Sequence, residues 1–185
     1  MKGRESGMPD QSNWNTFFNP NCILTKLDCV GPCGDVVEFG CGYGTFTVAA
    51  ASTVEGRVFA LDIEPEMVAE TARKARSAGL SNVTAQVRDF AAAGSGLPEE
   101  SVGYAVLFNI LHLVDPIGLM RAAHRALAPG GLAGVIHWHT DTETPRGPSM
   151  PIRSTAQQCR AWADKRAWNS FATSRRVAAR GTGEW

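Results

Sequence analysis

Between Asp35 and Thr47 the chain reads Asp-Val-Val-Glu-Phe-Gly-Cys-Gly-Tyr-Gly-Thr-Phe-Thr, an apolar run that ends in an acid and opens through three alternate glycines into a helical pattern. Gly40, Gly42 and Gly44 admit backbone angles closed to other residues and leave room for a ligand to lie against the main chain where the helix begins. The pattern predicts a nucleotide-type site. Its spacing departs from the dinucleotide fingerprint G-x-G-x-x-G, because the third glycine comes one residue early and Glu38 stands just before the first. That carboxylate would repel a pyrophosphate and draw a ligand that carries an ammonium group. A nicotinamide-dependent oxidoreductase fails on both counts.

From Asp35 onward, short apolar runs alternate with helical patterns, the signature of a parallel sheet flanked by helices. Strands are expected near Asp35 to Phe39, Arg57 to Leu61, Val83 to Val87, Val102 to Phe108 and Leu132 to Trp138. Helices are expected near Thr45 to Ser52, Glu64 to Ala78, Ile117 to Leu127 and Ser154 to Trp168. Gly79 should stop the second helix, and Pro129-Gly130-Gly131 should turn the third into its strand. Residues 1–11 read as a flexible leader, 12–30 as an N-terminal helical cap and 31–185 as the ligand-binding domain with an atypical tail over 166–185. In the cap, Trp14, Phe17, Phe18, Ile23, Leu24 and Leu27 recur at helical spacing around Pro20, predicting one or two short helices that cover the core or lie over the ligand as a lid.

A chain of 185 residues suits one domain, and a formal net charge of zero gives no reason to expect nucleic acid as a partner. Basic residues gather only late, at Arg153, Arg160, Lys165, Arg166, Arg175, Arg176 and Arg180. No long apolar run marks a membrane span or signal peptide, so no membrane partner and a cytoplasmic location are expected. Cys22, Cys29, Cys33, Cys41 and Cys159 form no C-x-x-C pair and are odd in number, which suits reduced thiols better than disulfides or a zinc site. Binding of a soft metalloid by Cys22, Cys29 or Cys33 is the sharper alternative.

Glu38-Phe-Gly-Cys-Gly-Tyr-Gly44 resembles the first motif of the class I S-adenosylmethionine-dependent methyltransferases, and the resemblance extends over Asp35 to Trp138. It implies an α/β fold, three-layer and doubly wound, around a mostly parallel sheet of order 3-2-1-4-5. The cofactor it implies is S-adenosyl-L-methionine. The function it implies is methyl transfer to a small-molecule acceptor by in-line displacement. The alternative is a protein that holds S-adenosylmethionine or S-adenosylhomocysteine without transferring the methyl group. Glu38, Gly40, Cys41, Gly42, Tyr43 and Gly44 would cradle this cofactor. Asp62, at the end of the second strand, offers two acceptor oxygens to two ribose hydroxyls, with Ile63 beside it. Asp89 resembles the family's adenine-binding acid, and Phe90 the apolar residue that packs on the ring. Each acid has a structural competitor, helix capping for Asp62 or Glu64 and turn formation for Asp89.

Asn109 is delivered to the C-terminal edge of the sheet by the fourth strand, where the family often places an acid early and this chain has Gly103 and Tyr104. His112, in Ile110-Leu-His-Leu-Val-Asp115-Pro116, is the candidate catalytic base beside the methyl donor, against the plainer reading of a structural histidine between leucines. His137 and His139 should share one face of the fifth strand and line the acceptor pocket, while Trp138 takes the other. Asp141 and Glu143 nearby make only a partial metal site, so no metal is expected. Tyr43, Phe17, Phe18 and Trp138 offer ring faces to a sulfonium cation.

The family's sheet closes with an antiparallel hairpin, and this tail, weakly alternating and rich in small residues, supports one poor strand at most, so the hairpin is missing or degraded. One choice of codons for Lys165 to Phe171, read from the third base, gives Ala-Gly-Leu-Glu-Phe-Val, a helix stop followed by a strand, which is compatible with a tail read out of frame. Without the hairpin, the fifth strand keeps an open edge, which predicts aggregation, a homodimer or an unusual cover.

Overall fold

The computed structural model describes residues 10–16, 18–138, 140 and 147–163, and the backbone of 177–181. The sheet comprises β1 (Val36–Phe39), β2 (Val58–Asp62), β3 (Val83–Val87), β4 (Val102–Phe108), β5 (Leu127–His137) and β6 (Val177–Gly181) in the order β3-β2-β1-β4-β5-β6. Every pairing is parallel. All four residues of β1 are buried, because helices cover both faces and leave no solvated side to alternate with. Val37, Phe39 and Leu107 face the layer of α6 (Pro116–Ala126) and α7 (Ala156–Trp162). Val36, Tyr104 and Ile136 face that of α2 (Pro20–Lys26) and α3 (Thr45–Ala51).

Local chemistry sets the helix limits. Asn19 caps α2 by accepting from the Cys22 amide, so Pro20 starts that helix at N1 rather than merely interrupting one. The preceding turn is α1 (Gln11–Trp14). In α4 (Pro65–Ser77), Pro65 again takes N1 and Gly79, at φ +71°, ends the helix as its spacing predicts. Thr155 and Gln158 form a reciprocal capping box, which starts α7 two residues later than expected. Pro129-Gly130-Gly131 does not separate helix from strand. It lies inside β5, where the register with β4 shifts between Val102 and Tyr104. The short helix α5 (Phe90–Ala93) and the 3-10 turn Met150–Ile152 carry too few residues for a periodic signal.

The N-terminal cap belongs to the core. Ile23, Leu24 and Leu27 are buried, and Trp14, Phe18, Phe46 and Phe108 form a ring series with successive centroids 4.9, 5.4 and 4.8 Å apart. The Tyr104 hydroxyl donates to the Leu27 carbonyl at 2.7 Å, tying α2 to β4 across 77 residues of sequence. That bond gives Tyr104 a structural role at the start of β4. A Cβ at Gly103 would overlap the Cys33 carbonyl, and one at Gly134 would overlap the tyrosine hydroxyl, so Gly103, Tyr104 and Gly134 form one packing unit.

The open edge expected at β5 is corrected by β6, which pairs with Ala133 to His137 in parallel through a crossover containing α7. The five cysteines carry free thiols. Phe17, His139, Asp141 and Glu143 lie outside the described residues, as do Trp168 and the reading-frame segment from Lys165 to Phe171. No described helix is long and apolar enough to cross a membrane.

Candidate functional site

The glycine loop is held from two sides. Towards β2, the Gly40 and Cys41 amides donate to the Leu61 carbonyl at 2.8 and 3.0 Å. From behind, the Thr71 hydroxyl donates to the Gly42 carbonyl at 3.0 Å, and Lys74 Nζ donates to the Tyr43 carbonyl at 2.6 Å. Gly40, Gly42 and Gly44 have φ of +80°, +50° and +73°, in the left-handed region that their sequence pattern predicts. A Cβ at Gly44 would lie 2.8 Å from Thr71 Oγ1, and one at Gly40 would lie 3.0 Å from Ile110 Cδ1. The loop therefore needs glycine for space as well as for angle.

Asp62 ends β2 at the mouth of this loop. Its Oδ2 accepts from the Gly42 amide at 2.9 Å and its Oδ1 from the Glu64 amide at 3.0 Å. The two anchors fix the carboxylate plane. An ionised carboxylate has about four lone-pair sites, so roughly two remain for a ligand. The competing capping role is thus partly met by Asp62, while Glu64, at the N-cap, makes no side-chain cap of its own.

Glu38 differs from its sequence reading as a standing charge. Its side chain is buried and accepts from the Thr47 hydroxyl at 2.5 Å. Burial pushes the carboxyl up to about 8, the Thr47 bond opposes this, and repulsion from Asp62 adds to it. Burial therefore favours the protonated form of this carboxyl. Burial likewise raises the neighbouring Cys41 thiol, which stays neutral under the loop.

The end of β3 reaches the same edge, since the Arg88 amide donates to the Asp62 carbonyl at 2.6 Å. Asp89 caps α5, accepting from the Ala92 amide at 3.1 Å, and this bond holds its carboxyl below the usual range. The Phe90 ring is buried edge-on against Phe39, centroids 5.5 Å apart, so its side chain belongs to the core. Ile63 is half-buried beside Asp62.

At the end of β4, Asn109 has φ +53° and donates its backbone amide to the Ile136 carbonyl at 2.8 Å. Its side-chain amide is buried, with no hydrogen-bond partner for either polar atom among the described residues. His112 and His137 are buried, with ring centroids 5.9 Å apart and planes tilted at 69°. Burial lowers His137 below its ordinary value, and Arg153 contributes to that direction. The prospective cation-facing rings have protein neighbours instead: Phe18 meets Trp14 and Phe46, Lys74 lies over Tyr43, and Arg153 lies over Trp138.

The structure thus gathers Glu38, the glycine loop, Asp62, Asp89 and Asn109 along one C-terminal sheet edge. Thr47, Thr71 and Lys74 are supporting residues that the sequence reading missed. A threonine or lysine on a helix carries no mark of the carbonyl it will reach, and only the loop it must brace could have directed attention to it.

An open parallel sheet with a glycine loop and strand-end acids is the architecture in which comparisons with known families place this chain. Residues 36–131, more than half of the chain, match the family described as Methyltransferase domain, and the chain belongs to that family. It is 28% identical over 148 residues to aklanonic acid methyltransferase DauC of Streptomyces sp. (strain C5), an alignment covering 74% of this chain and 66% of that enzyme. The chain therefore spans just under two thirds of that relative's length. A crystal structure of a SAM dependent methyltransferase from Aquifex aeolicus matches with a TM-score of 0.72 at 22% identity, covering 84% of this chain and 81% of that one. The cyclase SpnF matches with a TM-score of 0.59 at 20% identity, covering 76% and 51%. Likeness at these identities shows the shared fold.

Proposed function

We propose that this protein binds S-adenosyl-L-methionine and transfers its methyl group to a small-molecule acceptor. The single observation that carries the reading is the tie between Asp62 and the Gly42 amide, which sets a ribose-ready carboxylate beside a left-handed glycine cradle. Further support comes from Asn109, whose buried amide lacks a partner at the same edge, and from Glu38, a buried acid behind the loop. The glycines, with Cys41 and Tyr43, take the amino-acid end, Asp62 and Ile63 the ribose, Asp89 the adenine amine with Phe90 behind it, and Asn109 the side of the donor. When bound, the cofactor supplies a methyl group already activated on sulfonium. The chain's own task is to align the acceptor and exclude water. Where an acceptor must lose a proton, the imidazole pair of His112 and His137 provides the base.

A cytoplasmic location without nucleic-acid or membrane partners completes the proposal, the zero net charge speaking against nucleic acid, while the homodimer expected from an open β5 edge loses that ground because β6 pairs there. Calorimetry should detect S-adenosylmethionine binding and no NAD binding. A screen for S-adenosylhomocysteine release should begin with aklanonic acid, the compound in the relative's name, and continue through mixed metabolite pools. NAD binding, or no binding of either, would end the proposal. Tight retention of the cofactor with no acceptor turned over would favour a binding protein on the same fold.

A further inference from the structure

At the end of the sheet away from β6, the outer edge of β3 has no pairing strand among the described residues. An edge strand offers a row of backbone donors and acceptors to any chain that reaches it, and folds commonly guard it with charge, proline or a bulge. β3 has none of these guards. Val83, Thr84, Ala85, Gln86 and Val87 include no charged residue and no proline, and their register with β2 runs without a shift. The polar side chains at either end are turned inward. Arg88 donates from its guanidinium to the Ala93 and Gly94 carbonyls at 2.6 and 2.7 Å, and the Asn82 amide group donates to the Ala51 and Gly56 carbonyls at 3.1 and 3.0 Å. Thr84, Gln86 and Val87 are exposed, the valine to 50%.

The hydrogen-bond parity of β3 decides what fits that edge. The Val58 amide donates to the Asn82 carbonyl at 2.8 Å, and the Arg88 amide donates to the Asp62 carbonyl at 2.6 Å. With the parallel register between them, these bonds commit the backbone of Thr84 and Gln86 to β2. The N–H and C=O groups of Val83, Ala85 and Val87 therefore point away from the sheet. An antiparallel neighbour exchanges bonds with every second residue of a strand, and a second β3 centred on Ala85 does so along its whole length. Ala85 exchanges both bonds with Ala85 of the partner subunit, and Val83 with Val87 of the partner subunit. A slip of one residue would present groups already bonded to β2, and a slip of two would leave an end unmatched.

Side chains agree with this register, because opposed residues share a face. Val87 gains cover from the partner's Val83 on one face, and the Thr84 hydroxyl meets the amide of the partner's Gln86 on the other. Two uncharged edges bring no like charges together, and a formal net charge of zero adds no long-range repulsion between copies. An acidic or basic peptide would find no counter-charge on this strand.

We propose that β3 is the interface of a twofold homodimer, in which two β3 strands pair antiparallel about Ala85 and join the two sheets into one. The contact closes on itself, since each copy spends its only β3 edge. It is a strand pair rather than a broad face, so the dimer forms and dissociates in the micromolar range of concentration.

The test measures the molar mass of the full chain by light scattering while loading rises about a hundredfold from the low micromolar range. The mass should climb from one chain towards two. Ala85→Pro removes an N–H that faces the free edge and none that β2 uses, so it should keep the circular dichroism of wild type and weaken the dimer by at least about tenfold. Thr84→Cys and Gln86→Cys, mixed and mildly oxidised, should cross-link to each other, whereas either alone should stay near the background set by the half-buried Cys22 and Cys33 of wild type. The cross-link decides the register even if Ala85→Pro fails to fold. A strictly monomeric chain, which would leave the edge to an extended segment of another protein, would overturn the proposal. So would a dimer that a folded Ala85→Pro leaves intact, or a cross-link no stronger in the mixture than in either variant alone.

Discussion

Replacing Asp62 with alanine separates the bracing role that the structure shows for its carboxylate from the ribose-binding role proposed for it. In folding, the Gly42 and Glu64 amides would both lose an anionic acceptor. Hydrogen bonds to charged groups contribute about 1.5–3 kcal/mol each. The Glu64 bond is only part-buried, and water can replace some of it, so a total loss of about 2–4 kcal/mol is expected. In binding, the two charge-assisted bonds proposed from Asp62 to the ribose hydroxyls would be lost. This should weaken S-adenosylmethionine by about 1–3 kcal/mol, roughly five- to 150-fold in affinity. Asp62→Asn should lie between wild type and alanine in stability, since one amide oxygen still accepts while its NH2 group meets a backbone donor. Urea denaturation reads the first quantity and calorimetry with S-adenosylmethionine the second. A stability loss of the stated size with affinity within twofold of wild type would refute the ribose role and leave Asp62 as a brace of the loop.

Other perturbations test the surroundings of that carboxylate. Because the folded Glu38 carboxyl stands near 8 against 4.5 unperturbed, the native state binds the extra proton between those values. Stability should therefore fall as pH rises from about 4.5 towards 8, by up to about 1.4 kcal/mol per pH unit, and pH-dependent urea melts of Glu38→Gln should lose that slope. A cation drawn to Glu38 would lower its pKa, so calorimetry in buffers of different ionisation enthalpy should detect proton release when S-adenosylmethionine binds. Gly44→Ala combines left-handed strain of about 1–2 kcal/mol with an encounter at Thr71 Oγ1, and should lower both melting temperature and cofactor affinity. Tyr104→Phe strips the buried Leu27 carbonyl of its donor, and denaturation should show a loss of about 1–3 kcal/mol with cofactor affinity intact.

The parts of the fold that were legible in the sequence are those whose cause is local. β3 and β4 match their expected limits because apolar runs bounded by turn residues encode them directly. The glycine loop was legible because positive φ and close packing select glycine at Gly40, Gly42 and Gly44. Pro129-Gly130-Gly131 misled because a turn composition also suits a register shift inside a strand. The direction of β6 depends on the path of the crossover before it, which its five residues do not encode. The site divides in the same way. Asp62 was marked by its place at a strand end, whereas its bonds to Gly42 and Glu64 arise from loop geometry. The burial that neutralises Glu38 depends on α3, and the exposure of its charge was therefore misjudged from sequence. Gly103 looked like a departure from the family until the Cys33 backbone appeared in the space a side chain would need.

The most direct measurement is a crystal structure of the protein grown with S-adenosylmethionine. The account predicts the ribose hydroxyls on Asp62, the amino-acid end over Gly40 to Gly44, and the methyl group directed towards the edge shared by Asn109 and His137. Density for the nucleoside elsewhere, or an empty cradle at saturating ligand, would contradict it.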